Sequence, residues 1–182
     1  RERDKGVVVW LAHSEELCEQ AWDEFRKAWG ALGIRNVPLI RYWGPYEEDL
    51  RNVQDGVIIA GLKKAHSRLL NDDGQFRALS TRDPLVVMDE AHQAIAPTYQ
   101  LLIQSIVISN KASLVGLSAT PGRTWNDISA DKKLAHFFHR QKVKVEIPGF
   151  QNPVDYLVDE GYLAQTKNTN LLHKSGIKLS SA

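Results

Sequence analysis

The residues best suited to chemistry in this sequence are two adjacent carboxylates, Asp89 and Glu90, with His92 close behind them. They directly follow the apolar residues 85–88, and Pro84 precedes that run, where its missing N–H does least harm to a strand. A short apolar run of this kind is typical of a buried strand in a parallel sheet, and open α/β sheets bind ligands at the carboxyl ends of such strands. One carboxylate there can hold a hydrated divalent cation while its neighbour orients or deprotonates a water molecule.

The elements that must position this pair are further apolar runs separated by helical patterns. The runs predict strands over 6–12, 37–41, 57–60 and 113–117. The patterns predict helices over 15–32 and 62–70, and a third that starts at 97, runs through 106 and is broken at 110–111. Strands that alternate with helices predict an α/β fold, a parallel sheet with right-handed crossovers and helices on both faces. Beyond residue 125 the sequence predicts a helix over 131–140, a half-exposed strand over 142–147 and a short helix over 154–159.

Composition indicates one globular domain of an intracellular protein. The 182 residues carry 23 basic and 22 acidic side chains, so a net charge of +1 neither favours nor excludes a nucleic-acid partner. The single cysteine, Cys18, excludes an internal disulfide and a multi-cysteine zinc site, and it fits a reducing compartment. No apolar run approaches the roughly 18 residues of a membrane span, so we expect a cytoplasmic or nucleoid-associated protein with no membrane contact.

A second polar segment, Ser118-Ala119-Thr120, ends the run 113–117 one predicted helix after Asp89 to His92. With both motifs at strand ends, the sequence resembles the superfamily 2 helicases and translocases, and within them DEAH-type members near restriction-enzyme motor subunits and related repair or defence helicases. Residues 7–17 are similar to motif Ia of that family, residues 57–62 to the next DNA-facing strand end, and residues 116–121 to motif III. The resemblance implies a first RecA-like lobe of the P-loop NTPase fold over residues 1–165, and a connection towards a second lobe over 166–182.

The resemblance also implies roles for single residues. Asp89 would hold Mg²⁺, Glu90 would activate the water that attacks ATP, and His92 would link the nucleotide site to motif III through the hydroxyls of Ser118 and Thr120. The expected nucleic acid is DNA rather than RNA, although RNA stays possible. Its predicted contacts are His13, Ser14, Gly61, Lys63, Lys64 and Arg123. The family often has Thr at the position of Gly61, and Lys63 and Lys64 are equally well explained as a solvated helix face. Two further tryptophans in predicted loops, Trp43 and Trp125, are candidates for stacking on bases.

One departure from the family pattern limits what the sequence predicts. The phosphate-binding loop, Gly-x-x-x-x-Gly-Lys-Ser/Thr, is absent from residues 1–182. We therefore expect the loop and the second lobe to come from the remainder of the same polypeptide or from a partner subunit, and these residues alone not to hydrolyse ATP. Two alternatives stay open. One is a non-catalytic helicase-like interaction module within a larger complex. The other is a metal-dependent nuclease or hydrolase that adds Asp127 or Asp131 to the carboxylate pair.

Overall fold

The computed structural model describes residues 5–71, 74–108, 111–119, 128–143, 146–150 and 152–165. Its strands are β1 (Val7–Ala12), β2 (Leu39–Tyr42), β3 (Gly56–Gly61), β4 (Leu85–Met88) and β5 (Ser113–Gly116). Its helices are α1 (Glu15–Leu32), α2 (Leu62–Leu70), α3 (Gln75–Ser80), α4 (Pro97–Ile106), α5 (Ile128–Phe137) and α6 (Pro153–Asp159), with short 3₁₀ turns at Leu50–Asn52 and Ala91–Gln93. They fall into two compact units, one that ends at Gln141 and one that begins at Lys142. The predicted boundary at residue 165 stays a prediction, since residues 166–182 lie outside the described part.

The five strands form one parallel sheet with the order β2-β3-β1-β4-β5. Its register aligns the strand ends, because Ala12 of β1 faces Gly61 of β3, and Leu11 faces Met88 of β4. Met88 in turn faces Gly116 of β5. Neighbouring strands lie about 4.8 Å apart. The residues that follow β3, β1, β4 and β5 therefore share one edge of the sheet, as the sequence predicted.

Helices cover both faces of this sheet, which confirms the predicted fold class. On one face the side chains that alternate inward, including Val9, Leu11 and Ile58, form a core with α2, α3 and α4. On the other face Ala12 and Ile59 pack against α1. Leu11, Ile58 and Ile59 are fully buried, as strands covered on both sides must be.

Local signals set the ends of two helices as the sequence predicted. The hydroxyl of Ser14 accepts a hydrogen bond from the Leu17 N–H at 3.3 Å and so caps α1, whose first turn is acidic. Gly33 ends that helix, and its N–H donates to the Trp29 carbonyl at 2.8 Å. At α6 the side chain of Asn152 accepts from the Val154 N–H at 3.1 Å.

Two elements differ from the prediction. Helix α3 was not predicted, because its one apolar pair, Phe76 and Leu79, is too short a signal for a helical pattern; both are buried in the core. The strand predicted over 142–147 is wrong for the described residues of that range, which are irregular. Val143 is 97% exposed there, so its side chain packs against nothing that would hold an extended segment in place.

A carboxylate at the amino end of the sheet joins distant parts of the chain. Asp55, which precedes β3, accepts hydrogen bonds from the Gly6 N–H and from the Arg35 guanidinium, both at 2.9 Å. The Arg35 side chain, and then the Gly6 N–H, lower the pKa of Asp55 from 3.8 to about 2. Because the folded pKa is depressed, this carboxylate stabilises the fold above about pH 4, and that contribution is lost as the pH falls towards 2.

We therefore expect Asp55→Asn to weaken the dependence of stability on pH. Between pH 5 and pH 2.5 the urea midpoint of the unchanged chain should fall further than that of the variant, measured by circular dichroism. The matched control is Asp23→Asn, since Asp23 makes only an exposed 3.9 Å ion pair with Arg26 and should leave the dependence as it is. If the urea midpoint fell equally in the Asp55 variant and the unchanged chain, Asp55 would not contribute to the dependence of stability on pH.

Candidate active site

The two carboxylates lie at the carboxyl end of β4, one residue beyond the strand. The Asp89 N–H donates to the Leu11 carbonyl at 2.9 Å, which continues the ladder between β4 and β1. Glu90 then adopts the left-handed region, with φ 50° and ψ 55°, a conformation rare outside glycine. Its N–H donates to Oδ1 of Asp89 at 2.9 Å, and this bond helps to hold the turn. Backbone strain of this kind clusters at functional sites, where the required position of a side chain outweighs its cost.

His92 lies beside the second carboxylate. The 3₁₀ turn Ala91–Gln93 brings its Nδ1 to 3.2 Å from Oε2 of Glu90. The His92 side chain is 19% exposed and that of Glu90 is 41% exposed, so the pair lies at the surface of the edge with the histidine more enclosed. The two side chains are thus within ion-pair distance, and their contact restricts the rotamers of the carboxylate. The arrangement leaves Glu90 accessible to a water molecule or substrate from outside.

Backbone hydrogen bonds connect this segment to the end of β5. The Ala91 N–H donates to the Leu117 carbonyl at 2.8 Å, and the Leu117 N–H donates to the Met88 carbonyl at 2.9 Å. Ser118, the next residue, is partly buried, and Ala119 is exposed. Thr120 and Arg123, the remaining predicted members of this loop, lie outside the described residues. The structure thus brings the segment before Ser118 against the turn that carries Glu90, while the predicted link between His92 and Thr120 stays a prediction.

The other predicted contacts follow β1 and β3 at the same edge. The Ser14 hydroxyl already caps α1, and His13 is partly buried with no hydrogen-bond partner for Nδ1 among the described residues. At the end of β3, a Cβ added to Gly61 would lie 3.1 Å from Cβ of Trp43 and 3.9 Å from Sγ of Cys18. A threonine, which is branched at Cβ, would be crowded there. Close packing against Trp43 therefore gives a structural reason for glycine at this position.

Of the two lysines of α2, only one is engaged with the protein. Nζ of Lys64 donates to the carbonyls of Gly44 at 3.0 Å and Tyr46 at 2.8 Å, and lies 3.4 Å from Glu47. Lys64 therefore holds the loop that follows β2. Lys63 is exposed and makes no hydrogen bond or ion pair with another described residue. It is the better placed of the two for a phosphate.

Trp43, a candidate for stacking on bases, is only 1% exposed and belongs to the core instead. It belongs to an aromatic cluster with Trp22 and Tyr46 that surrounds a cation missed by the sequence reasoning, Arg41. The Arg41 guanidinium carbon lies 4.1 Å from the Trp22 ring centroid and 4.7 Å from that of Tyr46. Sequence carries no signal for this cluster, since its members come from α1, β2 and the following loop. Trp125 lies outside the described residues.

The edge of the sheet that carries Asp89 and Glu90 fits a magnesium ion that is also bound by phosphates. No group of three or more His, Cys, Asp or Glu side chains converges within the described part of the chain, so an all-protein cation cage is not found there. Magnesium, however, usually keeps several waters and takes one or two carboxylates together with phosphate oxygens. Asp89 suits that role because the bond from the Glu90 N–H engages Oδ1 and leaves Oδ2 for a cation or its water.

A comparison with protein families shows to which family the chain belongs. The family described as "Type III restriction enzyme, res subunit" matches residues 1–123, a range that contains both Asp89 to His92 and Ser118 to Thr120. The chain belongs to this family. As a member of the type III restriction enzyme res-subunit family it is a RecA-like lobe of a superfamily 2 helicase, which confirms the resemblance seen in its motifs.

The architecture of this res-subunit family member is shared with solved structures. The helicase domain of Hef from Pyrococcus furiosus aligns with a TM-score of 0.59 at 23% sequence identity, over 84% of this chain. The match covers 31% of that protein, so the chain spans about a third of it. In all, 51 solved chains match. A search of curated proteins found no match. Within the described residues, none of the helices is long and apolar enough to cross a membrane.

Proposed function

We propose that this chain carries the hydrolytic half of the ATP site of a DEAH-type helicase or translocase that moves on DNA. The observation that supports this most is the strand-end carboxylate pair joined by backbone hydrogen bonds to the end of β5. A pair of solvated acids would need neither the left-handed turn at Glu90 nor the bond from Ala91 to Leu117. The relation to a restriction-enzyme subunit favours DNA over RNA, and action in the cytoplasm or on the nucleoid.

In this proposal each residue of the edge has a distinct task. Asp89 holds the magnesium that accompanies ATP, and that ion would neutralise charge on the phosphates. Glu90 accepts a hydrogen bond, and then a proton, from the attacking water. His92, 3.2 Å away, keeps the Glu90 carboxylate in place. Phosphoryl transfer needs positioning and charge neutralisation rather than a covalent intermediate, so these side chains suffice on this side of the phosphates.

The other side of the phosphates needs a loop that this sequence does not supply. Strand β5 is the outermost strand of the described sheet on the acidic side, and Val115 and Leu117 are 42% and 41% exposed. An unpaired strand edge with apolar side chains is a template for a further strand. We propose that a strand from the remainder of the polypeptide, or from a partner subunit, pairs with β5 and carries the phosphate-binding loop to within reach of Asp89.

The test is DNA-stimulated phosphate release. Residues 1–182 alone should release no phosphate above background, whereas a polypeptide that also contains the phosphate-binding loop and the second lobe should turn over when DNA is added. Turnover by residues 1–182 alone would contradict the need for a separate loop. If a longer polypeptide that contains the loop released no phosphate when DNA was added, that result would favour the non-catalytic interaction module.

The two lysines of α2 provide a matched pair of substitutions that tests the proposed contact with DNA. Lys63→Ala should weaken binding to DNA of any sequence and reduce the slope of log affinity against log salt by about 1, as expected for one lost phosphate contact. Lys64→Ala should instead lower stability by about 1 kcal/mol, because the carbonyls of Gly44 and Tyr46 lose their donor. Fluorescence anisotropy with labelled DNA and urea unfolding measure the two effects. If the slope of log affinity against log salt were the same for the unchanged chain and Lys63→Ala, Lys63 would make no phosphate contact.

A further inference from the structure

A groove of about 1080 Å³ opens between α4 and α5, beside β5. Its floor is apolar and is formed by Ile103, Val107, Leu114 and Phe137. Leu114 faces Val86 in the register of the sheet, three residues before Asp89, and belongs to the core on the α4 side. The groove therefore lies on the face of the sheet that α4 covers, and neither Asp89 nor Glu90 lines it.

The rim of this groove is cationic. Lys132 and Lys133 of α5 line it, together with His136 and His139. Nε2 of His136 lies 2.8 Å from Nη2 of Arg140, which adds a further positive charge at the same end. None of the described residues that line the groove is an Asp or a Glu. A surface of this kind attracts an anionic partner and repels a cationic one.

The chemistry of the floor decides between kinds of anionic partner. Single-stranded nucleic acid is held by stacking on aromatic rings, but this floor is mainly aliphatic, with the single ring of Phe137. A small molecule is also a poor fit, because ligand clefts enclose most of the ligand, whereas this groove is open to solvent. An apolar floor between helices with charged sides is the usual receptor for an amphipathic helix.

We propose that the groove between α4 and α5 docks an acidic amphipathic helix of a partner protein. Apolar residues of that helix, at spacings of three and four, would cover Ile103, Val107 and Leu114, and its carboxylates would pair with Lys132 and Lys133. Residues 166–182 of this chain do not fit, since they contain three lysines and no Asp or Glu. The partner's acidic face sets specificity and association rate, and its apolar face supplies most of the affinity.

The test uses two fluorescein-labelled 18-residue peptides and the whole chain. One peptide has Leu at alternating spacings of three and four residues, which places the leucines on one helix face, and Glu elsewhere. The other has Lys in place of every Glu. Anisotropy should show saturable binding of the Glu peptide only. The charge reversal Lys132→Glu/Lys133→Glu should weaken that binding by about tenfold or more. The matched reversal Arg26→Glu/Lys27→Glu, at two exposed side chains of α1, should leave it unchanged.

A second variant separates docking from folding. Ile128 lines the groove and is 71% exposed, so Ile128→Ser should weaken peptide binding without altering the circular dichroism spectrum. Equal binding of the Glu and Lys peptides, or binding that survives both sets of substitutions, would overturn the proposal. So would a dimer in sedimentation that Lys132→Glu/Lys133→Glu dissociates, because a second copy would then occupy the groove. The ATPase assay is independent of these outcomes.

Discussion

Replacing Glu90 with Gln is expected to abolish ATP hydrolysis by the assembled motor while ATP binding is retained. Glutamine keeps the size of the side chain and its place beside His92, but its amide cannot take a proton from the attacking water. General-base catalysis contributes roughly 10²- to 10⁴-fold to a rate, and the loss in kcat should fall in that range. Phosphate release with and without DNA measures the rate, and a fluorescent ATP analogue measures nucleotide affinity.

The control for this substitution is Glu48→Gln, since Glu48 is an exposed glutamate in the loop after β2. It should leave both hydrolysis and nucleotide affinity as they are. If Glu90→Gln instead kept more than a tenth of the parent rate, Glu90 would not be the base. If it lost nucleotide affinity in proportion to kcat, the residue would bind ATP or its metal rather than activate water.

Gly116→Ala is expected to lower the free energy of unfolding by about 1–3 kcal/mol, the usual cost of overpacking a core. A Cβ at this position would lie 2.5 Å from Cζ of Phe138 and 2.7 Å from Cβ of Ala91. The Phe138 ring can rotate away, but Ala91 is held by its bond to the Leu117 carbonyl. Since Ala91 lies between Glu90 and His92, the displacement should also reduce hydrolysis in the assembled motor.

A second glycine serves as the control for this effect. Gly30 lies in α1, and a Cβ there would have no atom within 4 Å. Gly30→Ala should therefore stabilise the chain by about 0.5–1 kcal/mol, because alanine loses less conformational freedom in a helix. Urea unfolding of both variants tests the pair. A stability change of the same sign in both would mean that the contacts of Gly116 do not decide its effect.

The sequence predicted the sheet well because parallel strands buried on both faces leave an unmistakable pattern. The run at 57–60 is wholly apolar, and all four of its residues are buried in the sheet. The position of the acidic pair followed from the same pattern, since ligands gather where such strands end. The strand predicted over 142–147 is not formed at the described residues of that range, for the opposite reason. A period of two in polarity describes a strand only when neighbouring chain is there to pair with it.

Side-chain partners across the fold could not be predicted. Lys64 was visible in the sequence only as a charge, so a phosphate contact was a natural expectation, whereas its donors reach two carbonyls some 18 to 20 residues away. Trp43 likewise follows a short strand and looks like a loop residue, yet Gly61 lets it pack closely against the end of β3. The left-handed backbone of Glu90 has no sequence signal either, because glutamate does not favour that conformation.

The central position of β1 sets the distance between the proposed ATP site and the proposed DNA contacts. Strand β3, whose end is the proposed DNA side, pairs with β1 on one side. Strand β4, whose end bears the acids, pairs with β1 on the other side. The bond from the Asp89 N–H to Leu11 is therefore two residues from His13 along the chain. The ends of β3 and β4 lie two strand spacings apart, about 10 Å, and the end of β1 lies between them. The proposed ATP site and DNA contacts can therefore be coupled through β1 alone. A substitution at Leu11 or His13 should disturb both sites together.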